Sequence, residues 1–163
     1  MIVDSFLAVS GSISAAGVVS GQSFNGAATA VSTNSVDIGP LTIGGNQPAE
    51  LGQGEALELA VSILTAPTVG TSCQYAIIQA DDAALTSNVQ VLVQTAAIPI
   101  ASLPIGTIVP LHLDRAAPFA PKRYIGLQVT TAGAIATHSI FAAFVKNVQD
   151  VKNMLYKSGF AVL

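Results

Sequence analysis

Between Leu57 and Ile63 every second residue is large and apolar: Leu57, Leu59, Val61 and Ile63, separated by Glu58, Ala60 and Ser62. Side chains of an extended chain alternate between two faces, so this spacing predicts a strand that buries one face. Val89, Val91 and Val93, alternating with Gln90, Leu92 and Gln94, repeat the pattern. Ser35-Val36-Asp37-Ile38, closed by Gly39-Pro40, reads as a short strand, and residues 75–79, 107–113, 123–130 and 139–148 as further ones. Turn residues stand between them: Gly44-Gly45-Asn46-Gln47-Pro48, Asp81-Asp82-Ala83-Ala84, and a Pro-punctuated crossover from Ile98 to Gly106. No segment before residue 148 keeps a helical period. Seven or eight short strands with turns between them predict an all-β protein, an antiparallel β-sandwich of jelly-roll type.

The two ends of the chain read differently. Residues 10–33 mix Ser, Ala, Gly and Val without a clean period, which suits an extended N-terminal arm or a set of short edge strands. In the tail after residue 148, Val151, Met154 and Leu155 have the spacing of a short amphipathic helical turn, which Gly159 stops before an apolar Phe160-Ala161-Val162-Leu163. The expected organisation is therefore an arm over 1–33, a sandwich over 34–148 and a C-terminal tail over 149–163.

Charge limits the function classes. Only 9% of the 163 residues are charged while 51% are hydrophobic, against a usual charged share of about 25%. Such a chain has too little charge to be disordered, and too little to cover a free monomer in the ordinary way. Residues 1–82 hold seven acids and no Lys or Arg, whereas residues 83–163 hold all six bases and two acids. Two readings follow: the halves neutralise each other within one fold, or acidic and basic edges of neighbouring copies meet. A net charge of −3 and an acidic pI argue against nucleic acid as a partner. Lys122-Arg123-Tyr124 is the one basic–aromatic cluster, and Arg123 is expected to cap a strand start. The uncharged runs are interrupted by Gln, Asn, Ser, Gly and Pro, so no membrane-spanning segment is expected. The start Met1-Ile2-Val3-Asp4 lacks the positive region of a secretory signal, and the expected site of synthesis is a cytoplasm.

Catalytic vocabulary is sparse. Cys73 is alone and reads as a packing thiol. His112 and Asp114 fall on one side of a strand, but a metal site needs a third ligand, so His112 reads as a surface residue at a strand end. His138, just before the last strand, is read the same way. Asp81 and Asp82 are expected to be solvated, and Gly52-Gln53-Gly54-Glu55 lacks the rest of a dinucleotide fingerprint. No enzyme, cofactor or metal is expected.

Several segments, in order, resemble the capsid cement (decoration) proteins of short-tailed bacteriophages: Met1-Ile2-Val3-Asp4, Asn34-Ser35-Val36-Asp37-Ile38-Gly39, Gly54-Glu55-Ala56-Leu57 with the alternating strand after it, Gln94-Thr95-Ala96-Ala97-Ile98-Pro99, the turn from Leu103 to Gly106, Val109-Pro110-Leu111, and Arg123-Tyr124-Ile125-Gly126-Leu127. The ordered set spans roughly residues 34–148. The stretch 10–33 is longer than this pattern leads one to expect, and the tail beyond Val148 has no counterpart in it. The resemblance implies a jelly-roll sandwich bound to the outer surface of a phage capsid. Its partner would be the major capsid protein, and it would act as a homo-trimer that reinforces the shell. The alternative is a receptor- or carbohydrate-binding sandwich of a tail or fibre, against which the absence of Trp and the presence of only three Tyr count. Apolar termini suit contacts with the capsid or with neighbouring subunits, and the residues expected to make them are Met1, Ile2, Phe6, Leu7, Lys152, Met154, Leu155, Tyr156, Phe160 and Leu163.

Overall fold

The computed structural model describes residues 7–39, 57–113 and 122–145. Thirteen strand segments run in the order β1 (Ala8–Ser10), β2 (Ser12–Ile13), β3 (Val19–Ser20), β4 (Gln22–Ser23), β5 (Thr29–Val31), β6 (Val36–Asp37), β7 (Leu57–Thr68), β8 (Ser72–Ala80), β9 (Gln90–Gln94), β10 (Ile98–Pro99), β11 (Ile108–Leu113), β12 (Tyr124–Ala132) and β13 (Thr137–Val145). A 3-10 turn at Ile100–Ser102 follows β10.

Every strand pairing is antiparallel. The first sheet has the order β1-β13-β7-β11, with β4 also on β13; the second has β10-β8-β12-β5, with β9 also on β8 and β6 also on β12. Three edge positions are thus each filled by two short segments, β1 with β4, β5 with β6, and β9 with β10. With the separate two-stranded β2–β3 ribbon set aside, counting each pair as one leaves eight positions, ordered 1-8-3-6 in one sheet and 5-4-7-2 in the other. All successive positions change sheet except four and five, which form a hairpin. This is the winding of a jelly roll, as the sequence predicts. Residues 10–33 take the form of edge strands: β1 and β4 extend the first sheet along β13, and β5 extends the second along β12.

The alternation predicted from Leu57 to Ile63 sets the core; that of Val89, Val91 and Val93 does not hold, because a register shift at Ile77–Ile78 leaves Val91 38% exposed while Leu92 and Val93 pack against the core. Leu59, Val61 and Ile63 of β7, Val109, Leu111 and Leu113 of β11 and Ile140, Ala142 and Phe144 of β13 meet Cys73, Tyr75 and Ile77 of β8 and Ile125, Leu127 and Val129 of β12 between the sheets. Each large side chain taken fully from water there contributes roughly 1.5–3 kcal/mol. Cys73 is a buried free thiol, and burial pushes its pKa up.

The outer faces have covers that the alternation does not announce. On the second sheet, the loop after β8 turns back and lays Leu85 against Ala76, Ile78 and Ala80. Leu85 lies in the left-handed region at φ 57° and is buried. A Cβ on Gly126 would stand 2.3 Å from Leu85 Cδ1, so glycine is what lets this cover close. On the first sheet, Ile13 of the β2–β3 hairpin packs with Ala8, Phe141 and Ala143.

Strand β11 ends the first sheet. Its partners alternate, and Thr107 O accepts from Ile63 N–H, so position 110, opposite Ala60, is one whose backbone nitrogen faces away from β7. Proline, which has no N–H to give, sits there without loss to the ladder.

Candidate interaction surface

The β7–β8 turn fixes the geometry of the sandwich's two ends. The start of β7, the end of β8, the end of β11 and the start of β12 share one end; the connections at residues 24–28, 69–71, 100–107 and 133–136 share the other. The nine residues of β8 span about 30 Å between them. All six charged side chains of the described residues (Asp37, Glu58, Asp81, Asp82, Lys122 and Arg123) lie at the first end.

At that charged end, acids of the first half of the sequence pair with bases of the second. Arg123 donates from Nε and Nη2 to the two carboxylate oxygens of Asp37, each at 3.0 Å, and its guanidinium lies 5.1 Å from the centre of the Tyr124 ring. Register makes this possible, because Tyr124 stands opposite Asp37. Lys122 Nζ lies 3.4 Å from Asp81 Oδ1 and also donates to the Asn88 carbonyl. Glu58 and His112, directly opposed across β7 and β11, meet at 2.9 Å. Asp82 accepts from the Ser87 and Thr86 backbone N–H groups and from the Thr86 hydroxyl.

These partners hold three carboxyls below their usual range. The Arg123 hydrogen bond does so for Asp37, helped by the Gly39 N–H. The Asn88 amide does so for Asp81, with Lys122 adding to it. The Ser87 N–H and the Thr86 hydroxyl do so for Asp82. Of the two readings of the divided sequence charge, internal neutralisation accounts for Asp37 with Arg123 and Asp81 with Lys122. Arg123 does sit just before a strand, but its head group is spent on this ion pair.

The uncharged end is held by backbone. Gly26 bridges Ile135, its N–H donating to the Ile135 carbonyl at 2.7 Å. Thr71 N–H donates to Ala132 O, Ala136 N–H to Thr68 O, and Ile100 N–H to Thr71 O. The Thr131 hydroxyl donates to the Gly26 carbonyl at 2.8 Å. Gly70 and Gly133 both have positive φ, and a Cβ on Gly133 would come within 2.7 Å of the Gly70 Cα. Two large apolar side chains point outward from this braced frame, Val69 at 65% and Ile105 at 71% exposure. Val69 has φ 56°, a conformation that costs a β-branched residue of order 1–3 kcal/mol. Apart from this end, the β2–β3 hairpin on the outer face of the first sheet exposes Val18 and Val19, at 61% and 42%.

His138 does not lie on the surface as the sequence reading expects. It is 1% exposed, and its Nε2 meets the Tyr75 hydroxyl of the opposite sheet at 2.9 Å. Its Nδ1 lies 3.4 Å from the Thr65 carbonyl. Two register shifts between Thr137 and Ile140 disturb the alternation around His138, which is why pattern alone misplaces it. Burial lowers its pKa and raises that of Tyr75.

Of the predicted contact residues, Leu7 is 39% exposed. Met1, Ile2, Phe6, Lys152, Met154, Leu155, Tyr156, Phe160 and Leu163 lie outside the described residues. Val69, Ile105, Val18 and Val19 were not among those predicted; the signal that finds them is the absence of charge around their turns. Among the described residues no three His, Cys, Asp or Glu side chains come together, and no helix is long and apolar enough to cross a membrane.

Winding and charge together define a class: a jelly-roll β-sandwich whose described charged residues gather at one end, with a loop-built end opposite. Within it, the chain belongs to the Bbp16 family, whose model matches residues 11–145. That match takes in most of the Ser/Gly/Ala-rich stretch and stops where β13 does. No curated protein matches the chain.

Proposed function

We propose that the protein is a structural virion protein that binds the outer surface of a phage capsid and reinforces the shell against the pressure of packaged DNA. The observation that carries this reading is the division of charge: among the described residues, one end of the sandwich is a braced face without charged side chains that holds Val69 and Ile105 in water. A side chain kept exposed in a strained backbone conformation favours a contact made elsewhere. The partner is the major capsid protein, and the protein acts as a homo-trimer on the virion exterior after synthesis in the host cytoplasm.

The mechanism is cohesion. A subunit that straddles the boundary between capsid subunits adds contact area that must be broken before the shell parts. Apolar burial contributes about 25 cal/mol per Å², and the loss of rotational and translational freedom offsets part of it. Repetition over a lattice makes weak single contacts hold.

The test is to mix the protein with empty shells of the phage's major capsid protein, sediment the shells, and heat them. The expected result is co-sedimentation and a higher rupture temperature. Protein left in the supernatant, or captured by host envelope instead, overturns the reading.

A further inference from the structure

We propose that the Tyr75–His138 pair is an acid-sensitive latch whose release opens the uncharged end of the sandwich at the corner of residues 24–28. The geometry places His138 at a junction. Its ring reaches across the core to Tyr75 of β8, and its backbone anchors the corner: Phe24 N–H donates to the His138 carbonyl at 2.8 Å, and His138 N–H donates to Asn25 Oδ1 at 3.1 Å. The neighbouring ladder is weak, because β13 shifts register against β7 on both sides of Ser139.

The neutral ring fits its surroundings. Nδ1–H faces the Thr65 carbonyl, which accepts but cannot donate, so Nε2 carries the lone pair and takes the Tyr75 hydroxyl proton. A proton arriving from solvent on Nε2 turns this contact round. Nε2–H must then donate to the Tyr75 oxygen, and the hydroxyl hydrogen has to turn away. Tyr75 and Cys73 are the titratable groups that β8 brings to this region, and sulfur is a weak acceptor. From β7 comes the Thr65 carbonyl, and from the corner the Asn25 amide. Every carboxylate of the described residues is at the opposite end, so none of them balances an imidazolium here. A buried imidazolium whose neighbours among the described residues are all neutral is solvated at less cost by opening the structure around it. The break falls at the corner, where His138's own backbone holds Phe24 and Asn25. Burial already lowers the basicity of this ring.

The sign follows by linkage. A histidine whose folded pKa lies below its unfolded value leaves stability intact above about 6.5, and stability falls as pH drops below that value until the folded pKa is passed. Over that window the equilibrium for opening rises roughly tenfold per pH unit.

The test is hydrogen exchange of the full chain followed by NMR at pH 7 and pH 5, read as protection factors. The expected result is a loss of protection of roughly tenfold per pH unit below 6.5, with Phe24 and Gly26 less protected than Ile77 and Leu127 at both pH values because they exchange through the smaller opening. His138→Gln removes the pH dependence. Equal protection at the two pH values, the same protection factor at all four amides, or the same slope in His138→Gln overturns the proposal. Should that variant not fold, titration of the His138 ring in the unaltered protein decides: protonation below 6.5 together with the loss at Phe24 supports the latch, and protonation at or above 6.5 overturns it.

Discussion

The two ends of the sandwich are built from the same strands and held by opposite means. At one, side chains do the holding: Asp37 with Arg123, Asp81 with Lys122 and Asn88, and Asp82 over the backbone of residues 86 and 87. At the other, backbone holds backbone, through the Gly26–Ile135 bridge and the close approach of Gly70 to Gly133. Exposed ion pairs are worth little and weaken with salt. Backbone hydrogen bonds do not depend on salt in this way. The bracing of the uncharged end therefore holds at any ionic strength, and an ordered face loses less freedom on binding.

The contrast can be broken most severely by placing a charge on the braced face. Val69→Asp with Ile105→Lys is expected to leave the fold intact and reduce shell binding by about 2–5 kcal/mol, the cost of an unpaired charge in an interface; sedimentation over a range of protein concentrations measures it. Next comes the bracing itself. Gly133→Ala demands a Cβ 2.7 Å from the Gly70 Cα in a positive-φ position, and is expected to destabilise by about 1–3 kcal/mol in urea unfolding. A smaller effect of opposite sign is expected from Val69→Asn, because asparagine tolerates the left-handed region. Stability rises by about 1 kcal/mol while shell binding weakens, so the two assays diverge.

Smallest is the effect of unpairing the charged end. Asp37→Asn is expected to leave the unfolding midpoint nearly unchanged in moderate salt, and shell binding unchanged. The ends also separate by pH. Asp37, Asp81 and Asp82 have folded pKa values below their unfolded ones. Whatever stability they add is present above the unfolded carboxylate range and is lost as pH falls through the lower folded values. The loss tied to His138 begins below about 6.5, so a urea-unfolding series against pH should show two steps, with His138→Gln removing only the upper one.

Much of this architecture is legible in the sequence where one rule dominates. Leu59 to Ile63 and residues 109–113 alternate because one face of each strand meets the other sheet, and nothing local competes with that. The covers are not legible. Leu85 follows two aspartates and two alanines in a stretch that reads as solvated, yet it is buried, and the glycine that admits it lies on another strand. His138 is hidden for a related reason, since register shifts make its burial depend on pairing with β7 and β4, which is not a local property. For the interaction surface, the positions without charge are readable, but that they converge on one end follows only from the winding. The split of acids and bases between the halves of the chain looks like a division of the molecule; among the described residues, both halves bring their charges to the same end.

Pro110 has one more consequence. It occupies an outward-facing backbone position on the last strand of a sheet in a protein with few surface charges to keep copies apart. A row of free N–H groups there would template the strand of the next molecule. With the central donor missing, this edge is a poor template for the strand of a second copy, and edge-to-edge growth into filaments is disfavoured.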